Sequence, residues 1–182
     1  MRRRKFQAGF TLAEMLVILA IMAALAAILL PVVTSQVAKS QAAEVVGDLT
    51  SLRTAVETFL VNVGRYPGDI DDLTAPITDA TDLDINGEPY PAGLQAKWSG
   101  PYLDKVIGDD GTLPTGFGGR IQDALLTRAH PSAATVNYLT VQILGIAQSD
   151  FNRIDEQIDG GDGNAAGRLL WTTHTNPDST ST

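Results

Sequence analysis

The stretch RRRKFQAGFTLAEMLVILAIMAALAAILLPVV, residues Arg2–Val33, determines how the rest of this chain is organised. From Phe10 to Val33 its only charged residue is Glu14. As an α-helix this apolar run is about 36 Å long, at roughly 1.5 Å per residue, and a bilayer's hydrocarbon core is about 30 Å thick. A carboxylate inside such a run costs roughly 2.5 kcal/mol or more. The run therefore predicts a membrane-spanning helix, and Glu14 needs a partner that offsets its cost.

Charge is divided unevenly along the chain. Four basic residues, from Arg2 to Lys5, precede the apolar run, and without them the formal net charge of −8 becomes −12. This asymmetry predicts a cytoplasmic N-terminus and an exported remainder. The acidic remainder argues against nucleic acid as a partner. The chain has no cysteine, so a core, a long helix or a metal must stabilise the exported part in place of disulfides.

Two general interpretations of the apolar run compete. A secretory signal peptide has a basic start, a short apolar core and an A-x-A-like cleavage site, for which Ala24–Ala26 is a candidate. Against it, the apolar run continues past Ala26. A plain single-pass anchor explains the length and the orientation of the segment. Neither interpretation explains Glu14.

The segment AGFTLAEMLV, residues Ala8–Val17, resembles the processing site of type IV pilins and type II secretion pseudopilins. The resemblance implies that a dedicated prepilin peptidase removes the leader after Gly9 and that Phe10 is then N-methylated. The glutamate at the fifth position of the mature chain falls on Glu14. The family's usual GFTLIE is GFTLAE here, with a mild departure at Ala13.

The resemblance also gives Glu14 a role. Cleavage creates a charged amine at Phe10, which Glu14 of a neighbouring copy can neutralise as a filament grows, since each ion removes the desolvation cost of the other. Pro31 lies where pilins commonly carry a proline, and an interior proline kinks or locally melts a helix. The alternative is a helix that ends at Leu30.

A second helical pattern follows the apolar run. Apolar residues recur at alternating intervals of four and three, which predicts one apolar stripe on a helix: Ala38, Ala42, Val45, Leu49, Leu52, Val56, Phe59 and Val63. Gly64 supplies a C-terminal stop. Such a stripe is found in coiled coils and in helices packed on their own domain, and the second interpretation is favoured because it matches the pilin plan. The predicted fold class is α+β: a long N-terminal helix, kinked near Pro31, packed on a small antiparallel sheet.

Beyond Gly64 the chain is rich in glycine, proline and acid. GRYP at Gly64–Pro67 and KWSGPYLDK at Lys97–Lys105 resemble the major pseudopilin of type II secretion, although GTLPTGFGGR replaces that family's usual DPWG-like segment. TVNYLTVQIL predicts a strand, GIAQSDFNRIDEQID a helix and RLLWTT a closing strand. The predicted organisation is a cleaved leader (1–9), a transmembrane and filament-core helix (10–33), an amphipathic helix (34–64), an exported domain (65–173) and a polar tail (174–182).

Two acidic clusters are candidate calcium sites. DLDING at 82–87 has the residue spacing that opens an EF-hand loop, but Gly93 occupies the twelfth position, where the closing glutamate belongs. DEQIDGGDGN offers four oxygen ligands at Asp155, Asp159, Asp162 and Asn164. Asp155 and Asp159 lie one helical turn apart and repel unless something neutralises them. The resemblance supports calcium here, because pseudopilins often use it to hold a late loop; a solvated acidic turn is the alternative.

No catalytic constellation is present in the sequence. The two histidines, His130 and His174, have no spacing typical of a triad or a zinc site, so no enzyme is predicted. The predicted function is a structural subunit of a type II secretion pseudopilus. The alternatives are a type IV pilin for adhesion, motility or DNA uptake, and a membrane-anchored or secreted binding domain.

The expected partners and location follow from this interpretation. The partners are other copies or related subunits in the filament, the prepilin peptidase and methyltransferase, and an inner-membrane assembly platform. Nucleic acid is expected only for a DNA-uptake pilus. The expected location is the bacterial inner membrane, crossed once, and then a periplasmic or cell-surface filament.

Overall fold

The computed structural model describes residues 10–78, 82–130, 133–163 and 167–170, and the chain divides into two compact units, Met1–Lys39 and Ser40–Thr182. A single helix, α1, runs from Leu12 to Val63. Pro31 lies inside α1, so the alternative in which the helix ends at Leu30 is wrong. A bend at Pro31 stays a prediction. Within the first unit every side chain from Phe10 to Val37 is exposed. By length and composition α1 is the one helix of the described part that could cross a membrane.

The predicted apolar stripe of α1 is confirmed. Of its eight positions, Ala38 and Leu49 are half-buried and the other six are buried, and Ala55 is buried beside them. Gly64 ends the helix in the left-handed region at φ +89°, and its N–H donates to the carbonyl of Leu60 over 2.9 Å. Glycine adopts this conformation without the steric cost of a Cβ. The second half of α1 is thus the backing helix of the globular unit.

The described part of the globular unit also contains two small antiparallel sheets, three short α-helices and a 3-10 turn at Gly116–Gly118. The helices are α2 (Asp71–Thr74), α3 (Ala92–Gln95) and α4 (Gln148–Ile158). The strands are β1 (Thr112–Pro114), β2 (Arg120–Gln122), β3 (Leu126–His130), β4 (Ala133–Thr140) and β5 (Ile143–Leu144). One sheet has the order β1-β2-β5, with Leu113 opposite Ile121 and Ile121 opposite Ile143. The other is the hairpin β3-β4, with Thr127 opposite Leu139. The α+β class is confirmed.

Two predicted strands differ from the structure. TVNYLTVQIL is divided between β4, which pairs with β3, and β5, which pairs with β2. The described part of RLLWTT, residues 168–170, forms no strand. The N–H groups of Arg168 and Leu169 donate to a carboxylate oxygen of Asp159 instead, over 2.7 and 2.9 Å, so these two donors are not free for a sheet ladder.

Aromatic residues hold the long loop, which is the stretch of residues 64–111 between α1 and β1, against α1. Phe59 is fully buried, and its ring meets the edges of Tyr90 and Tyr102 at centroid distances of 6.1 and 5.6 Å. Trp98 packs on Tyr102 and donates its indole N–H to the carbonyl of Asp72 over 2.8 Å. Edge-to-face aromatic pairs of this kind contribute about 0.5–1.5 kcal/mol each beyond their buried area. KWSGPYLDK therefore has a structural role, through Trp98 and Tyr102.

A second cluster places α4 on α1. Ile154 is buried against Ala42 and Val45. Beside them the backbone of Gly116 lies so close to α1 that a Cβ there would overlap the carbonyl of Gln41. This close approach requires glycine at position 116 of GTLPTGFGGR. It also helps to fix where α4, and the acidic loop after it, sit on the domain.

Candidate functional site

The first turn of α1 carries a capping box. One carboxylate oxygen of Glu14, Oε2, accepts the N–H of Thr11 over 2.8 Å and its hydroxyl over 2.9 Å. The N–H of Glu14 donates back to Oγ1 of Thr11 over 3.2 Å. A Thr-x-x-Glu pair of this kind satisfies two orphan donors at a helix start. The sequence TLAE showed this spacing at Thr11–Glu14, but the sequence analysis missed it.

The capping box leaves half of the Glu14 carboxylate available. Among the described residues, Oε1 of Glu14 accepts no hydrogen bond, and the residue is exposed. Phe10 is 76% exposed at the start of the described chain, and Gly9 lies outside the described residues. The capping box therefore fixes one carboxylate oxygen within the subunit and leaves the other free for a neighbour's cation. The roles of Gly9, Phe10, Glu14 and Pro31 stay predictions.

The late acidic cluster begins with a buried carboxylate on α4. Asp155 is 2% exposed and lies on the same face as Phe151 and Ile154. Its Oδ2 accepts the N–H of Gly163 over 3.0 Å. Its Oδ1 is buried and has no hydrogen-bond partner in the described part of the chain. An ionised oxygen in this position is costly unless a cation or a proton satisfies it.

Three carboxylates lie close together at this end of α4. Asp155, Asp159 and Asp162 each offer one oxygen, and these atoms lie within 4.8 Å of one another. Gly167 packs against them so closely that a Cβ there would lie 2.7 Å from an oxygen of Asp159 and from one of Asp162. Asn164, the fourth predicted ligand, lies outside the described residues. The structure thus brings together three of the four residues that the sequence singled out.

Asp159 already accepts hydrogen bonds from the chain that follows the loop. Its Oδ2 accepts the two backbone N–H groups of Arg168 and Leu169, and its Oδ1 lies 3.3 Å from Nε of Arg168. Burial acts to raise the pKa of Asp159, but these two N–H donors and the guanidinium outweigh it and hold that pKa below its usual value. Asp159 is therefore ionised at neutral pH, as a metal ligand must be.

The donor set fits calcium. Calcium takes carboxylate and carbonyl oxygens at about 2.3–2.6 Å, so two ligands on opposite sides of one ion are at most about 5 Å apart. The separations among the three carboxylates fall within that limit. A cation that reached Oδ1 of Asp155 would satisfy this orphaned oxygen, and its charge would offset the repulsion between Asp155 and Asp159.

The EF-hand-like segment is not a comparable site. Asp84 is buried, its Oδ1 accepts the N–H groups of Asn86 and Glu88, and its Oδ2 pairs with Arg65 over 2.9 Å. Asp82 accepts the N–H of Thr78 over 2.7 Å. Since Asp84 is committed to a turn and an ion pair, DLDING is a structural turn.

Comparison with known proteins finds similarity to one family model and to several individual proteins. Residues 4–30 match the model of the prokaryotic N-terminal methylation motif. The chain is 36% identical over 117 residues to the type II secretion system core protein G of Klebsiella michiganensis, which is 61% of this chain and 82% of that protein.

Two further relatives are matched over less of their length. The core protein G of Pectobacterium carotovorum is 33% identical over 88 residues, 47% of this chain and 54% of that protein. Fimbrial protein Q of Moraxella bovis is 46% identical over 61 residues, 34% of this chain and 38% of that protein. The chain thus spans less than two thirds of these two relatives. No solved structure matches it.

Proposed function

Because this chain belongs to the family of type IV pilins and type II secretion pseudopilins, we propose that it is a structural subunit of a type II secretion pseudopilus. The length of the alignment with a core protein G is the observation that favours a secretion pseudopilus over a type IV pilus. An alignment of 117 residues with a core protein G must extend beyond α1, which ends at Val63, into the globular unit. The motifs that resemble the major pseudopilin lie in that unit, and KWSGPYLDK holds its loop against α1.

The membrane part of the proposal has three steps. The basic leader, residues 1–9, keeps the N-terminus in the cytoplasm, while the globular unit is exported. A prepilin peptidase cuts between Gly9 and Phe10 and the new amine is methylated. An assembly platform in the inner membrane then moves α1 from the bilayer into the filament. The exposed apolar surface of residues 12–33 supports both environments, because it packs equally well against lipid or against other α1 helices.

The contact of Glu14 with the amine of a neighbouring copy sets how far one subunit is shifted along the filament relative to the next. Its Oε1 is free within the subunit, while Oε2 is held by Thr11. An incoming subunit brings a charged amine at Phe10 into a low-dielectric environment, where a carboxylate of a neighbouring copy offsets its desolvation cost. The filament then grows with one ion pair per added subunit.

N-terminal sequencing of the chain purified from membranes should begin at N-methylated Phe10. The Gly9→Leu variant should retain Met1, because a bulky side chain replaces the glycine after which the peptidase is expected to cut. A mature chain that begins near Ala27 would contradict the processing step and favour a secretory signal peptide.

A type IV pilus is the second candidate, favoured by the 46% identity to a fimbrial protein. Deleting the gene separates the two functions. Loss of protein secretion with surface fibres intact supports the pseudopilus, and loss of surface fibres with secretion intact supports the pilus.

We also propose that Asp155, Asp159, Asp162 and Asn164 hold a calcium ion that fastens the loop after α4. The buried, unpartnered Oδ1 of Asp155 is the observation that supports this site. Three glycines with positive φ, Gly160, Gly161 and Gly163, let the loop turn back tightly on the helix. Bound calcium would supply the positive charge that offsets the three negative carboxylates.

Calcium should raise the melting temperature of the full-length chain in detergent by roughly 5–10 °C over the value in EDTA. A ligand at 100 times its Kd adds about 2.7 kcal/mol, and a chain of this size gains roughly 2–4 °C per kcal/mol. Scanning fluorimetry with calcium, with magnesium and with EDTA measures the shift.

The Asp155→Asn variant provides the matched control. It should lose the calcium response yet melt in EDTA at or above the wild-type temperature, because the amide removes an unpaired buried charge. An unchanged wild-type melting temperature in calcium, or a full response in Asp155→Asn, would remove the metal site from the proposal.

A further inference from the structure

Arg168 lies against the cluster of three carboxylates as its only cation among the described ion pairs. Its Nε faces Oδ1 of Asp159 at 3.3 Å, and its Nη2 donates to the carbonyl of Ile158 over 3.1 Å, at the C-terminal end of α4. A positive charge at that helix end is also favoured by the helix dipole. The guanidinium thus partly neutralises the cluster from outside.

Arg168 faces the oxygen of Asp159 that has more lone-pair capacity left for a metal. Oδ2 of Asp159 already accepts two backbone N–H groups, so Oδ1 is the oxygen with lone pairs to offer. A cation bound at Oδ1 and the guanidinium therefore draw on the same atom. Two positive charges at one carboxylate also repel each other.

The contact is weak enough to be displaced. The side chain of Arg168 is 68% exposed, whereas that of Asp159 is 8% exposed, and the 3.3 Å separation is long for a charge-assisted hydrogen bond. Exposed ion pairs contribute little to stability. Arg168 can therefore swing into solvent without uncovering a buried group of its own.

We propose that Arg168 is a built-in counter-ion, which holds Asp159 and the loop after α4 while the metal site is empty and weakens the affinity of that site for calcium. This inference rests on the calcium site proposed above and adds a regulator to it. Loading the site displaces the guanidinium from Asp159. The loop is then fastened by the metal and no longer by Arg168, and the stability gained on binding is reduced by the lost ion pair.

The test compares the Arg168→Gln variant with the wild type, both as full-length chains in detergent. The substitution removes the guanidinium but keeps the backbone N–H that donates to Asp159. Isothermal titration with calcium chloride should show binding roughly fivefold tighter in Arg168→Gln, the effect expected when a competing surface ion pair is removed. In EDTA the variant should melt about 2 °C lower than the wild type, and in saturating calcium the two should melt together.

The Arg153→Gln variant is the matched control. Arg153 lies on α4 and pairs with Asp150 over 2.7 Å, so the variant removes the same charge from the same helix region without touching the cluster. Equal calcium affinities in Arg168→Gln and Arg153→Gln, or weaker binding in Arg168→Gln, would overturn the role of Arg168 while leaving the metal site in place. Absence of binding heat in the wild type itself would overturn the metal site and this inference together.

Discussion

Replacing Glu14 with alanine should leave the chain in the membrane but reduce filament formation by roughly 60-fold for each subunit added. Without the carboxylate, the amine of an incoming Phe10 enters the filament core unpaired, at a cost of about 2.5 kcal/mol, and 1.4 kcal/mol corresponds to a factor of ten. Membrane insertion is unaffected or improved, because an intramembrane charge is removed. Shearing of cells followed by immunoblotting of fibre and membrane fractions measures both quantities.

The Glu14→Gln variant separates the charge of Glu14 from its capping role. Glutamine at this position also forms a capping box, so the bonds with Thr11 can persist while the negative charge is lost. We expect Glu14→Gln to fail in assembly as severely as Glu14→Ala. Thr11→Ala, which keeps the charge and loses the hydroxyl, should retain much more assembly. Wild-type fibre yield in Glu14→Gln would show that the carboxylate acts through the cap and not as a counter-charge.

The parts of the fold that sequence predicted are those with local causes. The stripe from Ala38 to Val63 specifies which face of α1 is buried, because a 3.6-residue period has only one apolar side. Gly64 specifies where α1 ends, because its conformation needs no long-range partner. The capping box has an equally local signature, the Thr-x-x-Glu spacing at Thr11–Glu14.

The parts that sequence did not predict depend on which groups meet across the fold. RLLWTT has the composition of a strand, yet the N–H groups of Arg168 and Leu169 are captured by Asp159, nine and ten residues earlier. TVNYLTVQIL has the period of one strand, but its two ends find different partners, β3 and β2. In both cases the composition did not specify which acceptor the backbone N–H groups would meet.

The candidate metal site was predictable in its residues and not in its electrostatics. Asp155 and Asp159 share a helix face by spacing alone, and the glycines between 160 and 163 allow Asp162 to return to them. The burial of Asp155 depends on how α4 packs against Ala42 and Val45, which no local pattern contains. The guanidinium of Arg168 reaches the cluster only because the chain beyond the loop folds back.

A second group of carboxylates lies at the start of the long loop. Asp72 is 4% exposed; its Oδ2 accepts the N–H of Gly68 and the hydroxyl of Tyr90, over 3.0 and 2.9 Å. Asp69 accepts the backbone N–H of Asp72, and Asp123, which interacts with Asp69, accepts the N–H of Ile70. Burial, with repulsion from Asp69, raises the pKa of Asp72 to about 7, and burial likewise raises the pKa values of Asp69 and Asp123. The folded domain therefore holds protons that the unfolded chain releases.

The free energy of unfolding should accordingly be greater at pH 4.5 than at pH 7.5, by roughly 3 kcal/mol at about 1.4 kcal/mol per pKa unit. A carboxyl whose pKa is raised on folding contributes stability that is fully present below its unfolded pKa of about 4 and is lost as pH rises through 7. Denaturant unfolding of the full-length chain in detergent with EDTA, across this range, measures the difference. Asp72→Asn should remove most of the pH dependence, because the amide keeps the shape without the charge, while Asp109→Asn, at an exposed position, should retain it. A domain that is more stable at pH 7.5 would show that Asp72 is ionised in the folded chain, and an undiminished pH dependence in Asp72→Asn would show that other groups cause it.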